Sequence, residues 1–217
     1  MKIQHVVFDW DGTLADTYPV ISAAYEYTFQ TLGLPPIPYD EVKRLTSTLQ
    51  NKDTLGYIFG DRKEEAKTAY YDYIGRHHAS ELKAMPGAAE LLAFCRSKGL
   101  KSYLLTNKKR FYFLEESDQL GFTVFFDKIV AAGDFAEDKP HPLATHALFA
   151  GNLPDADSIL VIGDGLADYQ VAKTYDHDNK KALCVLYDPK NKYKGEQPDY
   201  LLSLIHISEP TRQAEIS

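Results

Sequence analysis

Residues 8–17 read FDWDGTLADT, in which Asp9 and Asp11 flank a single tryptophan and precede a Gly-Thr pair. The residues before them, 2–8 (KIQHVVF), are rich in β-branched and aromatic side chains, which is typical of a β-strand. Two carboxylates this close together repel each other, so a role as a simple turn or helix cap explains them poorly. The stretch therefore predicts a functional site at the carboxyl end of the first strand.

The 217-residue chain is long enough for one large domain, or for a domain with an insert, and 44% of its residues are hydrophobic. Its net charge is −7, and it contains no run of more than three Lys or Arg residues, which argues against nucleic-acid binding. No apolar stretch approaches the roughly 18 residues that a membrane span needs. The amino terminus begins with a strand pattern rather than a signal peptide.

The chain has two cysteines, Cys95 in a helical pattern and Cys184 in a strand-like run. Both fit buried free thiols in a reducing compartment. We therefore expect a cytoplasmic protein without nucleic-acid or membrane partners. Whether it is a monomer or a homodimer is left open.

The segment after the first strand has a helical pattern. Helices are predicted at 17–32, 39–49, 51–59 and 62–78. No strand pattern is visible between Thr13 and Met85, so residues 16–85 are predicted to form a helical insert.

Beyond the insert, strand and helix patterns alternate. Strands are predicted at 101–106, 127–133, 157–163, 181–187 and 198–202, and helices at 86–100, 108–121, 141–151 and 166–175. This alternation is typical of an α/β fold with helices on both faces of a parallel sheet. The predicted fold is a Rossmann-like doubly wound parallel sheet, built from residues 1–15 and 86–201.

In such sheets, ligands bind at the carboxyl ends of the strands. Polar residues follow four of the predicted strands: Asp9 and Asp11, Thr106 and Asn107, Lys139, and Asp164 with Asp168. Each has an ordinary structural explanation by itself, as a helix cap, a turn residue or a solvated lysine. Their shared position at one edge of the predicted sheet favours a single site instead.

The stretches that contain these residues carry a family resemblance. FDWDGT (8–13), LLTNK (104–108), DKPHP (138–142) and VIGDGLADYQ (161–170) resemble the successive motifs of the haloacid dehalogenase-like hydrolase superfamily. The resemblance covers about residues 1–201. The insert is similar to the C1-type cap of the phosphoglycolate phosphatase-like branch. The resemblance implies a phosphomonoesterase that acts on a small phosphorylated metabolite.

The resemblance also implies a role for each matching residue. Asp9 would be the nucleophile that becomes an aspartyl-phosphate. Asp11 would protonate the leaving group and then deprotonate the attacking water. Thr106 and the backbone of Asn107 would bind phosphate oxygens. Lys139 would neutralise the nucleophile and the transferring group.

A metal ion is implied as well. The carboxylates of Asp9 and Asp164 and the backbone carbonyl of Asp11 would hold Mg²⁺, and Asp168 would support the metal site directly or through water. Crowded carboxylates push their pKa values apart, which divides the roles of Asp9 and Asp11. A hard cation with oxygen ligands, together with Lys139, would offset the carboxylate repulsion.

Several alternatives remain. A phosphomutase or a pyrophosphatase would use the same scaffold and the same residues. A non-catalytic interaction protein is disfavoured because every catalytic position is filled. In a signalling receiver domain, the phosphorylated aspartate would not be the first of a DxDGT pair. Carbon–halogen cleavage is disfavoured because the dehalogenases of the superfamily lack an acid at the position of Asp11.

The last residues, 202–217, read LSLIHISEPTRQAEIS and fit no element of this fold. Residues 202–212 match the translation of a transposase-type sequencing adapter. We therefore expect a non-native tail, and the native carboxyl terminus beyond about Leu201 is unknown.

Overall fold

The computed structural model describes residues 3–46, 53–80, 82–187 and 200–202. The chain divides into two compact units, unit 1 (Met1–Asp16 with Lys83–Ser217) and unit 2 (Thr17–Leu82). Unit 2 begins one residue later and ends three residues earlier than the predicted insert, 16–85. The predicted non-native tail lies outside the described residues, apart from Leu202.

The secondary structure is as follows. The strands are β1 (His5–Phe8), β2 (Ala15–Asp16), β3 (Lys83–Ala84), β4 (Lys101–Lys109), β5 (Lys128–Ala132), β6 (Ile159–Gly163), β7 (Leu183–Tyr187) and β8 (Tyr200–Leu202). The helices are α1 (Tyr18–Thr31), α2 (Tyr39–Thr46), α3 (Thr54–Phe59), α4 (Lys63–His77), α5 (Ala88–Ser97), α6 (Arg110–Leu120), α7 (Pro142–Ala147) and α8 (Leu166–Thr174). Short 3₁₀ turns lie at Gly60–Arg62, Thr123–Phe125 and Ala156–Ser158.

Unit 1 contains a parallel sheet of six strands in the order β5-β4-β1-β6-β7-β8. Strand β1 lies inside the sheet, where His5 pairs with Lys101 on one side and with Ile159 on the other. The chain adds β4 and β5 on one side of β1 and then crosses to add β6, β7 and β8 on the other. This confirms the predicted Rossmann-like parallel sheet, and the reversal of direction beside β1 marks the expected ligand crevice.

The core of unit 1 explains why β1 has no polar face. Val6, Val7 and Phe8 are all buried, as expected for a parallel strand covered on both faces. Val7 belongs to a cluster that extends through Val161 on β6 to Leu186 on β7. The first polar side chain after this apolar run therefore lies at the carboxyl edge of the sheet.

A short antiparallel pair, β2 with β3, contradicts the expectation of no strand between residues 13 and 85. Ala15 pairs with Ala84, and Asp16 pairs with Lys83. Strands of two residues are too short to show an alternating pattern in the sequence. Because of this pairing, the points at which the chain leaves and re-enters unit 1 lie side by side.

Strand β4 is longer than predicted. It continues three residues beyond the predicted range of 101–106, and its register on β5 shifts between Leu105 and Lys109. Polar residues 106–109 therefore belong to the end of a strand rather than to the start of a helix.

Helix α7 is shorter than predicted and ends at Ala147, four residues before the predicted end at 151. Ala150 and Gly151 have φ angles of 51° and 82°, which a helix cannot accommodate. In unit 2, residues 47–49 of the predicted helix 39–49 and residues 51–52 of the predicted helix 51–59 lie outside the described part of the chain.

Unit 2 is built around aromatic side chains. Tyr25 on α1 is only 5% exposed, and its ring stacks on that of Tyr39 with 5.4 Å between centroids. The ring of Tyr70 on α4 meets the Tyr25 ring edge-on, with 5.2 Å between centroids. Helix α3 begins at an Asp53 cap, whose carboxylate accepts a hydrogen bond from the Gly56 amide at 2.9 Å.

None of the helices in the described ranges combines the length and the apolar character that a membrane crossing requires.

Two residues of α5 provide a test of the core. Leu92 is fully buried, whereas Phe94 on the same helix is 54% exposed. Leu92→Ala should lower the free energy of unfolding by about 2–5 kcal/mol because it leaves a cavity. Phe94→Ala should change it by less than about 0.5 kcal/mol. Urea denaturation followed by circular dichroism measures both, and equal losses would contradict the described packing.

Candidate active site

The site residues lie where strands of unit 1 end. Asp9 directly follows β1, Asp164 directly follows β6, and Asp168 lies in the first turn of α8. Because β1 and β6 are neighbours in the sheet, these residues come together. Asp9, Asp164 and Asp168 each offer a carboxylate oxygen, and the three oxygens lie within 4.8 Å of one another.

Lys139 lies in the loop between β5 and α7 and is inserted into this carboxylate cluster. Its ammonium donates a short hydrogen bond to Asp9 Oδ1 and a second one to Asp168 Oδ1 at 2.9 Å. The side chain is 4% exposed. Burial favours the neutral amine, but Asp168 and Asp9 outweigh burial and raise the pKa of Lys139. The cluster therefore contains a permanent cation.

One lysine does not balance three carboxylates. Burial and the charge of Asp168 raise the pKa of Asp9, and Asp164 adds to this effect. Lys139 opposes the increase, yet the pKa of Asp9 still reaches about 7. A further cation is needed for Asp9 to be fully ionised at neutral pH.

Glycines make room for the carboxylates. Gly12 has a φ of +76°, and a Cβ atom at this position would lie 2.7 Å from Asp164 Oδ2. A Cβ atom on Gly163 would lie 2.1 Å from Cγ of Asp168. Any larger residue at either position would displace a member of the cluster.

The donor chemistry fits a hard divalent cation. Three carboxylates in close proximity provide only oxygen ligands, the type that Mg²⁺ prefers. Both carboxylate oxygens of Asp168 have a partner, because Lys139 donates to its Oδ1 and the Gly165 amide donates to its Oδ2 at 3.1 Å. This geometry suits a supporting role for Asp168 more than direct coordination.

Thr106 and Asn107 lie at the carboxyl end of β4, on the other side of β1. Thr106 is buried, and its hydroxyl accepts a hydrogen bond from the Lys108 amide at 3.0 Å. The Asn107 amide group donates to the backbone carbonyl of Lys139 at 3.0 Å. Asn107 therefore joins the end of β4 to the loop that carries the buried lysine. Within the described part of the chain, its buried Oδ1 has no hydrogen-bond partner.

Asp11 has different surroundings from Asp9. Its carboxylate is absent from the close cluster, is 28% exposed, and accepts a hydrogen bond from Lys108 Nζ at 2.9 Å. The two aspartates of the motif thus occupy a buried and a more open environment. Such a difference is what separates a nucleophile from a proton-transfer group.

Sequence reasoning assigned no role to Lys108 or Glu116. Lys108 Nζ also contacts Glu116 Oε1 at 2.9 Å, and the indole N–H of Trp10 donates to Glu116 Oε2 at 2.7 Å. Burial disfavours the charged form of Lys108, but Asp11 and Glu116 outweigh it and raise the pKa of Lys108. The sequence signal for a buried acceptor such as Glu116 was Trp10 itself, since a buried indole N–H needs a hydrogen-bond acceptor.

The sequence profile described as haloacid dehalogenase-like hydrolase matches residues 6–178, which include every site residue described above. The chain therefore belongs to the haloacid dehalogenase-like hydrolase family.

Individual relatives agree with this assignment. A phosphoglycolate phosphatase from Neisseria gonorrhoeae is 31% identical over 180 residues, covering 79% of this chain and 76% of the relative. Pyrophosphatase PpaX from Oceanobacillus iheyensis is 24% identical over 202 residues, covering 93% of each chain. The prediction of a phosphatase-type hydrolase is thereby confirmed.

A solved structure shows the same fold. The crystal structure of a predicted phosphoglycolate phosphatase from Haemophilus somnus superposes with a TM-score of 0.76. The alignment covers 97% of this chain and 98% of the other at 18% identity, so it supports the fold alone.

The raised pKa of Asp9 predicts how stability depends on pH without divalent cations. The folded protein keeps a proton that the unfolded chain releases at lower pH, so this contribution to stability is present in acid and is lost as pH rises through about 7. Asp9→Asn cannot ionise. In EDTA, its melting temperature should exceed that of the wild type at pH 8, and the difference should shrink towards pH 4.

Differential scanning fluorimetry with an external dye measures this difference across pH 4–8. Asp157→Asn is the matched control, because Asp157 is a partly exposed aspartate of unit 1 that lies 3.7 Å from Lys180 Nζ. A difference that widens as pH falls would contradict the described electrostatics.

Proposed function

We propose that the chain is a Mg²⁺-dependent phosphomonoesterase that hydrolyses a small phosphorylated metabolite through an aspartyl-phosphate on Asp9. One observation carries this proposal. In a chain of the haloacid dehalogenase-like hydrolase family, a buried lysine pairs with Asp9 and Asp168, while Asp164 lies within 4.8 Å at the same edge of the sheet. An ionised carboxylate held beside fixed cations is what attack on a phosphate ester requires.

In the first step, a carboxylate oxygen of Asp9 attacks phosphorus, and the bond between phosphorus and the leaving oxygen breaks. Asp11 gives its proton to the departing alkoxide. In the second step, water attacks the phosphorus of the aspartyl-phosphate, and Asp11 accepts a proton from that water. Phosphate leaves, and both carboxylates return to their starting states. The more exposed position of Asp11 suits a group that must reach both the leaving group and water.

The phosphate oxygens need donors and cations. Thr106 and the backbone amide of Asn107 are proposed to donate hydrogen bonds to them, and Lys139 neutralises charge that develops beside Asp9. The carboxylates of Asp9 and Asp164 and the carbonyl of Asp11 would hold Mg²⁺. When bound, the metal supplies positive charge that offsets the repulsion between the carboxylates and the phosphate.

The names of the relatives suggest the candidate substrates. The relatives named phosphoglycolate phosphatase make 2-phosphoglycolate the first candidate. The relatives named pyrophosphatase PpaX favour pyrophosphate as a second. Unit 2, which interrupts unit 1 in the sequence, is proposed as the cap that selects between such substrates. A cytoplasmic location is part of the same proposal.

Phosphate release tests the proposed function directly. Purified protein is incubated with p-nitrophenyl phosphate, 2-phosphoglycolate, pyrophosphate and a panel of sugar phosphates, with Mg²⁺ or with EDTA. Release should require Mg²⁺, and Asp9→Asn should reduce it about 10³-fold or more because the nucleophile is lost. Asp157→Asn should retain wild-type activity. Release that persists without Asp9 would contradict the mechanism.

Gly12 offers a test of the metal site. Gly12→Ala would bring a methyl group against Asp164 Oδ2, and it should raise the Mg²⁺ concentration for half-maximal activity by about tenfold or more. Gly121→Ala is the matched control, because Gly121 also has a positive φ, +71°, but a Cβ atom there would meet nothing within 4 Å. Magnesium titrations of both variants measure the effect. If the Mg²⁺ concentration for half-maximal activity rose equally in both variants, the cause would be backbone strain rather than the contact with Asp164.

A further inference from the structure

A chain of buried polar contacts leads from Asp11 into the interior of unit 1. Lys108 Nζ lies 2.9 Å from Asp11 Oδ1 and 2.9 Å from Glu116 Oε1, and Glu116 Oε2 accepts the indole N–H of Trp10 at 2.7 Å. Glu116 is completely buried, and the Lys108 side chain is 8% exposed. Both oxygens of Glu116 therefore have a partner.

Packing alone does not explain this ion pair. Glu116 lies on α6 beside Phe113, whose ring meets the Trp10 ring edge-on with 4.9 Å between centroids. An apolar residue at position 116 would suit such surroundings, and replacing a buried ion pair by apolar residues is often neutral or stabilising. The carboxylate is instead aimed at a lysine whose other contact is Asp11.

The lysine needs a second anchor to act on Asp11. An unbranched lysine side chain has several rotatable bonds, and holding it in one geometry costs conformational entropy. Glu116 supplies that anchor as a buried carboxylate, with its Oε1 2.9 Å from Lys108 Nζ. With its ammonium held by Glu116, Lys108 contacts Asp11 Oδ1 at 2.9 Å and fixes the orientation of that carboxylate.

We propose that Glu116 and Lys108 are positioning residues that hold Asp11 for proton transfer during phosphate ester hydrolysis. This inference rests on the proposed function. It extends that function by two residues to which the proposed mechanism gives no other role.

The test uses leaving groups that differ in their need for a proton. p-Nitrophenolate is a stable anion and leaves without protonation, whereas an alkoxide needs the proton of Asp11. Glu116→Gln should therefore lower kcat/KM for the best alkyl phosphate of the panel about tenfold more than for p-nitrophenyl phosphate. The ratio of the two kcat/KM values does not depend on the fraction of correctly folded enzyme, so a purely structural role would not change it.

A second measurement follows the second step of the proposed reaction, the hydrolysis of the aspartyl-phosphate. Hydrolysis of the aspartyl-phosphate needs Asp11 as a base, whichever leaving group has departed. With p-nitrophenyl phosphate, stopped-flow absorbance of Glu116→Gln should show a burst of about one p-nitrophenolate per site, and then a steady rate about tenfold or more below that of the wild type.

Glu115→Gln is the matched control, because Glu115 neighbours Glu116 on α6 and is exposed. Glu115→Gln should keep the wild-type ratio of kcat/KM for the alkyl phosphate to kcat/KM for p-nitrophenyl phosphate. The double variant Lys108→Met/Glu116→Leu removes both charges and leaves no buried ion unpaired, so it serves if Glu116→Gln does not fold. Its ratio should shift as strongly as that of Lys108→Met alone, because the two residues act through one contact.

The outcomes separate this inference from the proposed function. Wild-type release that depends on Asp9, with a shifted ratio in Glu116→Gln and Lys108→Met, supports both. The same wild-type release with an unchanged ratio in the folded variants overturns the positioning role alone. A wild type without Asp9-dependent release overturns the proposed function and the inference with it.

Discussion

The site depends on the ammonium group of Lys139, which is buried against Asp9 and Asp168. Three carboxylates in close proximity, two of them buried, would otherwise repel one another strongly. The compensation is incomplete, since the pKa of Asp9 remains raised to about 7. A phosphate ester would add further negative charge to the same place. One lysine therefore leaves negative charge uncompensated in this cluster, and such an arrangement favours the binding of an additional cation.

The order of the elements was readable from the sequence, whereas some of their boundaries were not. Apolar strands alternating with amphipathic helices predict a parallel sheet because each element must bury a face. The pair β2–β3 carried no such signal, since two residues on each strand show no periodicity. Strand β4 also runs to Lys109, past its predicted end at residue 106, because its backbone pairing with β5 continues into polar sequence. These strand boundaries were determined by hydrogen bonds between strands that are far apart in the sequence, and not by local composition.

A similar division applies to the site. Asp9, Asp164 and Lys139 follow strand patterns, and neighbouring parallel strands bring such residues together whatever the details of packing. The contact of Lys108 with Glu116 has a different origin. It depends on the rotation of α6 about its axis and on how far β4 extends, and neither is encoded by spacing along the chain. A glutamate inside a helical pattern is ordinarily a solvated residue, so the spacing of residues along α6 could not show its complete burial.

Trp10 gives this arrangement an optical consequence. It is the only tryptophan in the 217 residues, it is fully buried, and it stands between Asp9 and Asp11 with its N–H on Glu116. When indole absorbs light, electron density moves from its pyrrole ring towards its benzene ring, so the colour of its fluorescence depends on charges beside the N–H. The chain thus contains one indole fluorophore, located next to the residues proposed to handle the phosphate. Its emission reports on this single place in the molecule without any label.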